Sequence, residues 1–259
     1  MNDPLRAMYL IIPKGGIYSQ MPGAKLSFVM PAYNEADYIE GALDTLDRIW
    51  KETGLPYEIV VVDDGSIDST GLKACNYASN NGHVKVVSYR ENMGKGHAVK
   101  TGFTKAVGDA IVFVDSDLEI DLEKVACYVR ALQHGDIVIA SKRHPESIVE
   151  MPLIRRILGY SFNLLVRLLT GVELKDTQTG LKAVKRRAFE NVFSRLAVKR
   201  YAFDVELLVV AKLYGLKVVE LPINIKMRGL FSLKDVWRML IDLLGISYRL
   251  RISKHYCSE

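Results

Sequence analysis

The chain has 259 residues, of which 49% are apolar, and a formal net charge of +5. A chain of this length and composition can bury a sizeable core, which excludes disorder for most of it. The mild positive charge suits anionic partners such as phosphates or a membrane surface, but it is too low for a dedicated nucleic-acid binder, so no nucleic-acid partner is expected.

Residues 1–25 are predicted to form a leader segment. Their apolar patch, residues 5–12, is broken by Pro13 and is too short to span a bilayer. No other stretch is apolar and uncharged over the length of a membrane span, so any membrane contact is expected to be peripheral. The cysteines Cys75, Cys127 and Cys257 lack the spacing of a zinc site or disulfide framework, which makes a reducing compartment the default.

Strand-like and helix-like patterns alternate along the first half of the chain. The predicted elements are a strand at 26–31, a helix at 35–52, a strand at 57–63, a helix at 66–80, a strand at 84–89, a helix at 95–107, a strand at 110–114, a helix at 121–132 and a strand at 136–140. This succession predicts an α/β fold with a mostly parallel sheet and helices on both faces.

The second half of the chain continues with a different pattern. It predicts a helix at 153–169, a strand at 181–184, a helix at 203–214, a strand at 217–225 and a final helix at 232–252. We interpret residues 26–252 as a single domain. It consists of a nucleotide-binding half, 26–141, an acceptor half, 142–231, and an amphipathic helix, 232–252.

Paired carboxylates follow two of the predicted strands. Asp63-Asp64-Gly65-Ser66 ends one strand, and Asp115-Ser116-Asp117 ends another. Two neighbouring strands would bring these side chains to one edge of the sheet, where open α/β sheets bind ligands. Because carboxylates repel one another unless a cation lies between them, the pattern points to a nucleotide diphosphate and a divalent metal. For the first motif alone, a turn followed by a helix cap is the alternative.

Four motifs together resemble a known family. They are Pro31-Ala32-Tyr33-Asn34-Glu35, Val62-Asp63-Asp64-Gly65-Ser66, Asn92-Met93-Gly94-Lys95-Gly96 and Asp115-Ser116-Asp117. In order and spacing they resemble family 2 glycosyltransferases, which have the GT-A fold. Residues 176–182 and 203–208 resemble segments of polyprenyl-phosphate hexose synthases. The dolichyl-phosphate glucosyltransferases are nearest and the mannose synthases somewhat further off.

The resemblance implies where the metal and the diphosphate bind. Asp115 and Asp117 would anchor both groups, with Ser116 between them. Glu119 would be a further metal ligand, although the family has a glutamine at this place. Lys95 begins a helix, where a lysine and free backbone amides suit an anionic group. The alternative for Lys95 is an incidental lysine after a glycine.

The resemblance also implies a pocket for the nucleoside. Asp64 and Glu35 would hold the base and the ribose. The side chains expected to shape the base pocket are Pro31, Tyr33 and Val62. For Glu35, the alternative is an acid at a helix N-terminus, where the helix dipole favours it.

The acceptor half supplies basic residues for a phosphate. A polyprenyl phosphate is already ionised near neutral pH, so the enzyme needs positioning and cations rather than a general base. Arg143 and Arg156 match basic residues that bind the acceptor phosphate in the family. The doubled pairs Lys142-Arg143 and Arg155-Arg156 leave each assignment open by one position, and solvated surface charge is the alternative.

Further site candidates lie beyond these arginines. Asp176 and Gln178 would face the sugar and the acceptor, while Asp204 and Glu206 would lie behind the site. Before the last helix the family has a basic Arg-x-x-Gly-x-Ser-Lys segment, and this chain departs from it over residues 226–234. The basic residues left there as candidates for substrate binding are Arg228 and Lys234.

Two helices have unusually narrow polar stripes. Helices 153–169 and 232–252 place apolar side chains on most of their circumference, which suits helices lying in the headgroup region of a membrane. The alternative is packing on the core or in a dimer contact.

The expected function is that of an inverting, metal-dependent glycosyltransferase using Mg²⁺ or Mn²⁺. It would move glucose from UDP-glucose to a polyprenyl or dolichyl phosphate, as a peripheral protein at the cytoplasmic face of a membrane. The alternatives are mannose transfer from GDP-mannose, transfer to a soluble or polysaccharide acceptor, and a non-catalytic protein that binds nucleotide sugars.

Overall fold

The structure is a computed structural model that describes residues 25–117, 119–227 and 233–257. Its strands are β1 (Leu26–Ala32), β2 (Tyr57–Asp63), β3 (Val84–Ser88), β4 (Ala110–Phe113), β5 (Ile137–Ala140), β6 (Ile148–Glu150), β7 (Lys182–Lys185), β8 (Val218–Leu221) and β9 (Asn224–Lys226). Of the predicted leader, residues 1–25, all but Lys25 lie outside the described residues.

The helices of the described ranges follow in chain order. They are α1 (Ile39–Lys51), α2 (Thr70–Ser79), α3 (Lys95–Lys105), α4 (Val125–Ala131), α5 (Leu153–Thr170), α6 (Arg186–Phe193), α7 (Phe203–Leu213) and α8 (Leu233–Arg251). Short 3₁₀ helices precede α4 at Leu122–Lys124 and follow α8 at His255–Cys257.

A seven-stranded sheet with the order β3-β2-β1-β4-β7-β5-β8 forms the centre of the molecule. All neighbouring strands are parallel except β7, which runs antiparallel to both β4 and β5. The predicted mostly parallel α/β sheet is therefore confirmed. Strands β6 and β9 pair in parallel in a separate two-stranded sheet.

Hydrophobic cores cover both faces of the sheet. In β1, Phe28 and Met30 point into one core with α1 and α4, while Val29 points into the other with α3 and α7. This alternation follows from the two-residue period of a strand, and the continuously apolar strands are typical of a sheet that is covered on both faces. The prediction of helices on both faces is thus confirmed.

Several details of the prediction are wrong. Strands β2 and β4 are not neighbours, because β1 lies between them. Their carboxyl ends nevertheless meet at one edge, since all three strands are parallel. The predicted strand 217–225 is two strands, interrupted at Pro222, which has no amide hydrogen for a ladder. Helix α6 and strand β6 were not predicted, because each is too short to show a clear period.

Candidate functional site

A cavity of about 550 Å³ opens at the carboxyl ends of β1, β2 and β4. This is the edge at which ligands bind in open α/β sheets. The residues predicted for the site that line this cavity are Pro31, Tyr33, Glu35, Asp64, Lys95, Asp115, Ser116, Asp117, Glu119, Lys142, Arg143, Arg156 and Gln178. The fold thus brings together the candidates of both halves of the chain.

Asp64 fastens the loop before α3 to the sheet edge. Its carboxylate oxygens accept hydrogen bonds from the hydroxyl of Tyr89 at 2.6 Å and from the backbone amides of Met93 and Gly94 at 2.8 and 2.9 Å. Gly94 has a φ of 98°, a conformation that favours glycine. Asp64, which is only 3% exposed, therefore holds in place the loop that leads into α3 and Lys95.

A tight turn after β1 explains why the first two helices begin later than predicted. Asn34 has a φ of 56°, and its amide and side chain exchange hydrogen bonds with Ser66 and Ile67 at 3.0 Å. The Glu35 amide donates to the hydroxyl of Thr70 at 2.8 Å. These hydrogen bonds join the two loops at the cavity rim. Because the polar groups bond between the loops, the residues before Ile39 and Thr70 are not helical.

The acidic motif after β4 meets a lysine. Lys95, at the start of α3, lies 2.6 Å from Asp115. Burial by itself lowers the pKa of Lys95, but the attraction of Asp115 outweighs it, and the net pKa is raised. Ser116 donates to the carbonyl of Pro31 at 3.1 Å, which ties the motif to the end of β1.

Gly180 leaves the space that Asp115 occupies. A Cβ at Gly180 would overlap with the Asp115 carboxylate, so a larger residue there would displace the carboxylate. Asp117 turns back on the chain, with its carboxylate accepting from the Glu119 amide at 3.0 Å. The two aspartates share the cavity, but Lys95 neutralises only one of them directly.

Burial and neighbouring negative charge together raise the pKa values of two carboxyl groups in the cavity. Burial and the charges of Asp117 and Asp115 raise the pKa of Glu35 to about 7. Burial and the charge of Asp115 raise the pKa of Asp117 to about 6. This end of the cavity is therefore poised to receive a cation.

Three acidic side chains of the cavity could contribute ligands to a divalent metal. Its members, Asp115, Asp117 and Glu119, offer oxygen atoms, the donors that Mg²⁺ and Mn²⁺ prefer. Within the described residues, no three His, Cys, Asp or Glu side chains lie close enough together to hold a metal by themselves. The residues fit a metal that takes some of its ligands from a diphosphate or water.

Asp176 lies beneath the cavity wall and does not line it. Its carboxylate accepts from the Lys142 amide at 3.0 Å, the Gln178 amide at 3.0 Å and the Thr179 hydroxyl at 2.8 Å, and Lys142 Nζ lies 3.2 Å away. These donors hold the pKa of Asp176 below its usual range in spite of its burial. Asp176 thereby fixes the loops that present Lys142 and Gln178 to the cavity.

Arg143 connects the cavity to α5. Its guanidinium donates to the carbonyl of Gly159 at 2.7 Å and lies 4.3 Å from the centre of the Tyr160 ring. Arg155 and Arg156 also line this end of the cavity. The same cavity is also lined by the apolar side chains of Val149, Met151, Tyr160, Ile225, Met227 and Met239. The cavity therefore combines cations with apolar side chains.

Two further predicted residues, Val62 and Lys234, do not line the cavity. Val62 is fully buried in the core against α3 and does not line the cavity. Lys234 is exposed on the first turn of α8, away from the cavity wall. Arg228 lies outside the described residues. Val62 therefore has a packing role, and Lys234 is not among the described residues that line the cavity.

Arg200 and Tyr201 were not predicted for the site, and Asp204 was predicted to lie behind it. All three line the cavity, and Asp204 pairs with the buried Lys182 at 2.8 Å. Burial lowers the pKa of Lys182 more than Asp204 raises it. A basic pair, Lys199-Arg200, directly before the predicted helix 203–214 was the available signal.

Residues 27–193 match the family described as Glycosyl transferase family 2. The chain belongs to this family. The dolichyl-phosphate beta-glucosyltransferase ALG5C of Trichomonas vaginalis is 33% identical over 96% of this chain and 81% of its own length. The dolichyl-phosphate beta-glucosyltransferase of Homo sapiens is 35% identical over 78% of this chain and 68% of its own length.

Solved structures share the GT-A fold of this glycosyltransferase. Glucosyl-3-phosphoglycerate synthase from Mycobacterium tuberculosis in complex with UDP superposes with a TM-score of 0.69 at 19% identity, covering 92% of this chain and 84% of the other. The same enzyme has been crystallised with Mn²⁺ and UDP-glucose, with a TM-score of 0.67 at the same identity and coverage. The predicted family and fold are therefore confirmed.

Proposed function

We propose that this family 2 glycosyltransferase moves glucose from UDP-glucose to a polyprenyl phosphate such as dolichyl phosphate, with inversion at the anomeric carbon. Relatives named dolichyl-phosphate beta-glucosyltransferases support the reaction. The observation that carries the proposal is the cavity itself. It combines carboxylates and Lys95 at the sheet edge with three arginines that lie on or against α5, and its lining includes several apolar side chains. Residues 26–252 would act as one catalytic domain.

The residues have distinct tasks in this reaction. Negative charge develops on the departing diphosphate, and Lys95 at the amino end of α3 would stabilise it. The acceptor phosphate attacks as an anion, so Arg143, Arg155 and Arg156 would position it without a general base. Asp64 and Glu35 would lie on the nucleoside side of the donor, where Pro31 and Tyr33 border the cavity.

We further propose that the enzyme uses Mg²⁺ or Mn²⁺. Asp117 would hold the ion together with Asp115 and Glu119. When bound, the metal would supply positive charge to the leaving diphosphate. The clustering of these carboxylates supports the assignment: after burial, the negative charges of neighbouring carboxylates are the next causes that raise the pKa values of Glu35 and Asp117.

The lipid acceptor is expected at a membrane surface. Among the described helices, none combines the length and hydropathy of a membrane span. Helices α5 and α8 contact each other and expose large apolar side chains. These side chains include Leu153, Ile154, Ile157, Leu164 and Leu168 on α5, and Trp237, Ile241, Leu244 and Tyr248 on α8. We propose that this face rests on the cytoplasmic side of the membrane. The free thiol of Cys75, which is exposed, suits that reducing compartment.

A transfer assay tests the reaction. Purified protein would receive dolichyl phosphate in detergent with UDP-glucose, GDP-mannose or UDP-N-acetylglucosamine, each with and without Mg²⁺ or Mn²⁺. Metal-dependent glycolipid from UDP-glucose is the expected product. Product from GDP-mannose alone would change the donor, and nucleotide binding without any glycolipid would contradict the lipid acceptor.

A variant separates the acceptor end from the donor end. Arg143→Gln is expected to raise the KM for dolichyl phosphate by about tenfold, the effect of losing one charge-assisted hydrogen bond, while the KM for UDP-glucose stays unchanged. Arg187→Gln is the matched control, because Arg187 is exposed on α6 and does not line the cavity. An equal rise in both KM values for Arg143→Gln would contradict its acceptor role.

A further inference from the structure

A fully buried carboxylate joins three separate segments of the chain. Glu206, on α7, is 0% exposed. One of its oxygens accepts from the backbone amides of Ala197 and Val198 at 2.9 and 2.7 Å. The other accepts from the hydroxyl of Tyr256 at 2.5 Å and from Arg249 at 3.2 Å. Burying a carboxylate is costly unless it is paired and hydrogen-bonded, and these four donors meet that condition.

The carboxyl-terminal side of this cluster is itself cross-linked. Arg249, near the end of α8, donates from Nε to the hydroxyl of Tyr256 at 2.9 Å. Tyr256 follows α8 and is 0% exposed. Burial and the carboxylate of Glu206 raise the pKa of Tyr256, so its hydroxyl remains a donor. The end of α8 is therefore fastened to α7 through Glu206.

The other side of the cluster reaches the cavity. The carbonyl of Lys199 accepts from the His97 amide at 3.0 Å. A Cβ at Gly94 would lie 2.6 Å from that carbonyl, and one at Gly96 would lie 2.8 Å from the carbonyl of Val198. The segment 197–201 thus packs directly on the backbone around Lys95.

Two side chains of the same segment line the cavity. They are Arg200 and Tyr201, which follow the two amides that Glu206 holds. A shift of that backbone would move them together with the start of α3. The contacts form one continuous path from the end of α8 to the cations of the donor end.

We infer that Glu206 is a positioning residue that couples α8 to the donor end of the cavity by holding residues 197–201 against the start of α3. The helix it fastens is the one whose apolar face we place on the membrane, so this coupling extends the proposed function. It gives the docked helix a direct structural link to Lys95 and Arg200.

Glu206→Gln tests the coupling. Glutamine keeps the size of the side chain and an oxygen for the two amides, but it presents an NH₂ group to Arg249. We expect amide hydrogen exchange of residues 94–101 and 197–202 to rise by about tenfold, and the KM for UDP-glucose to rise by a similar factor with a smaller change in kcat. The weaker variant Tyr256→Phe should shift both measurements in the same direction, and it carries the test if Glu206→Gln does not fold.

Glu58→Gln is the matched control. Glu58 is also a buried carboxylate, 3% exposed, which accepts from the Ser27 hydroxyl, Lys85 and the Val107 amide. None of these four residues lines the cavity. The control should lower the unfolding temperature without changing the KM for UDP-glucose. If the same variant raised that KM as much as Glu206→Gln, the effect would be general destabilisation and the inference would be overturned.

The exchange measurement needs no turnover. Faster exchange confined to residues 250–257 in Glu206→Gln would overturn the coupling even if the enzyme is active. Absence of transfer by the unaltered protein would instead contradict the proposed function, while the exchange at residues 94–101 would still decide the coupling.

Discussion

The two halves of the molecule differ in where their large apolar side chains are exposed to solvent. In the described part of residues 25–141, the exposed large apolar side chains are Tyr33, Ile67, Leu72 and Val107, which are scattered. Beyond residue 141 such side chains cluster on α5 and α8. The helices of the first half use their apolar faces to cover the sheet, whereas α5 and α8 have additional apolar surface that the fold leaves uncovered. The second half is therefore suited to meet another apolar surface.

The charges of the cavity divide in the same way. The first half supplies Asp115, Asp117 and Lys95 at the sheet edge, and the second half supplies Arg143, Arg155 and Arg156 on or against α5, as well as Arg200 beside the start of α3. One end suits a metal and a diphosphate, and the other suits a phosphate monoester on a lipid. Substitutions in each half test this division.

Asp117→Asn should reduce the rate of glucose transfer by at least about a hundredfold, because it removes a proposed ligand of the metal that would stabilise the leaving diphosphate. Steady-state kinetics with UDP-glucose would measure the effect. Asp121→Asn is the control, since Asp121 caps the 3₁₀ helix before α4 and does not line the cavity. Equal activity of both variants would contradict a role of the carboxylate end in transfer.

Gly180→Ala should reduce kcat by at least about tenfold, because the added Cβ would push the Asp115 carboxylate away from Lys95. Gly82→Ala serves for comparison, since a Cβ at Gly82 meets open space. Kinetics and thermal unfolding of both variants would separate a local displacement from a loss of folding. An unchanged kcat for Gly180→Ala would show that the position of Asp115 is not critical.

Leu244→Glu should weaken binding to anionic lipid vesicles by about tenfold, because it places a charge in the apolar face of α8. Leu72→Glu makes the same change in the first half. Leu72 and Leu244 are 65% and 60% exposed, so the two substitutions differ mainly in their surroundings. Vesicle co-sedimentation would measure both, and equal weakening would remove the distinction between the halves.

The stability of the ligand-free protein should fall as the pH rises from 4.5 to 7. Glu35 has a pKa of about 7 in the folded protein against 4.5 as its ordinary value, so the folded state binds more protons in this window. Glu35→Gln should flatten the dependence, and thermal unfolding across the pH range would show it. If the slope of stability against pH stays the same in the variant, Glu35 is not the group that binds the additional protons in the folded state.

The sequence motifs predicted much of the site, because a residue that directly follows a parallel strand lies at the carboxyl edge of the sheet whatever the order of the strands. Asp64 and Asp115–Asp117 follow apolar runs, so their position at the carboxyl edge of a parallel sheet was predictable from the chain alone. The family is confirmed, while the roles of the individual site residues stay predictions. Glu35 lines the cavity as predicted, although the helix that was predicted to begin there begins at Ile39.

The family, the α/β class and the strands that carry the acidic motifs were predictable from the amino-acid sequence, because they depend on local periodicity and short spacings. The burial of Val62 in the core and the position of Asp176 beneath the cavity wall became known only from the folded structure. It also brought Arg200 and Tyr201 to the cavity and joined Glu206 to Arg249 and Tyr256. These contacts bridge segments far apart in the chain, so their geometry depends on how helices pack on the sheet, which no local pattern encodes.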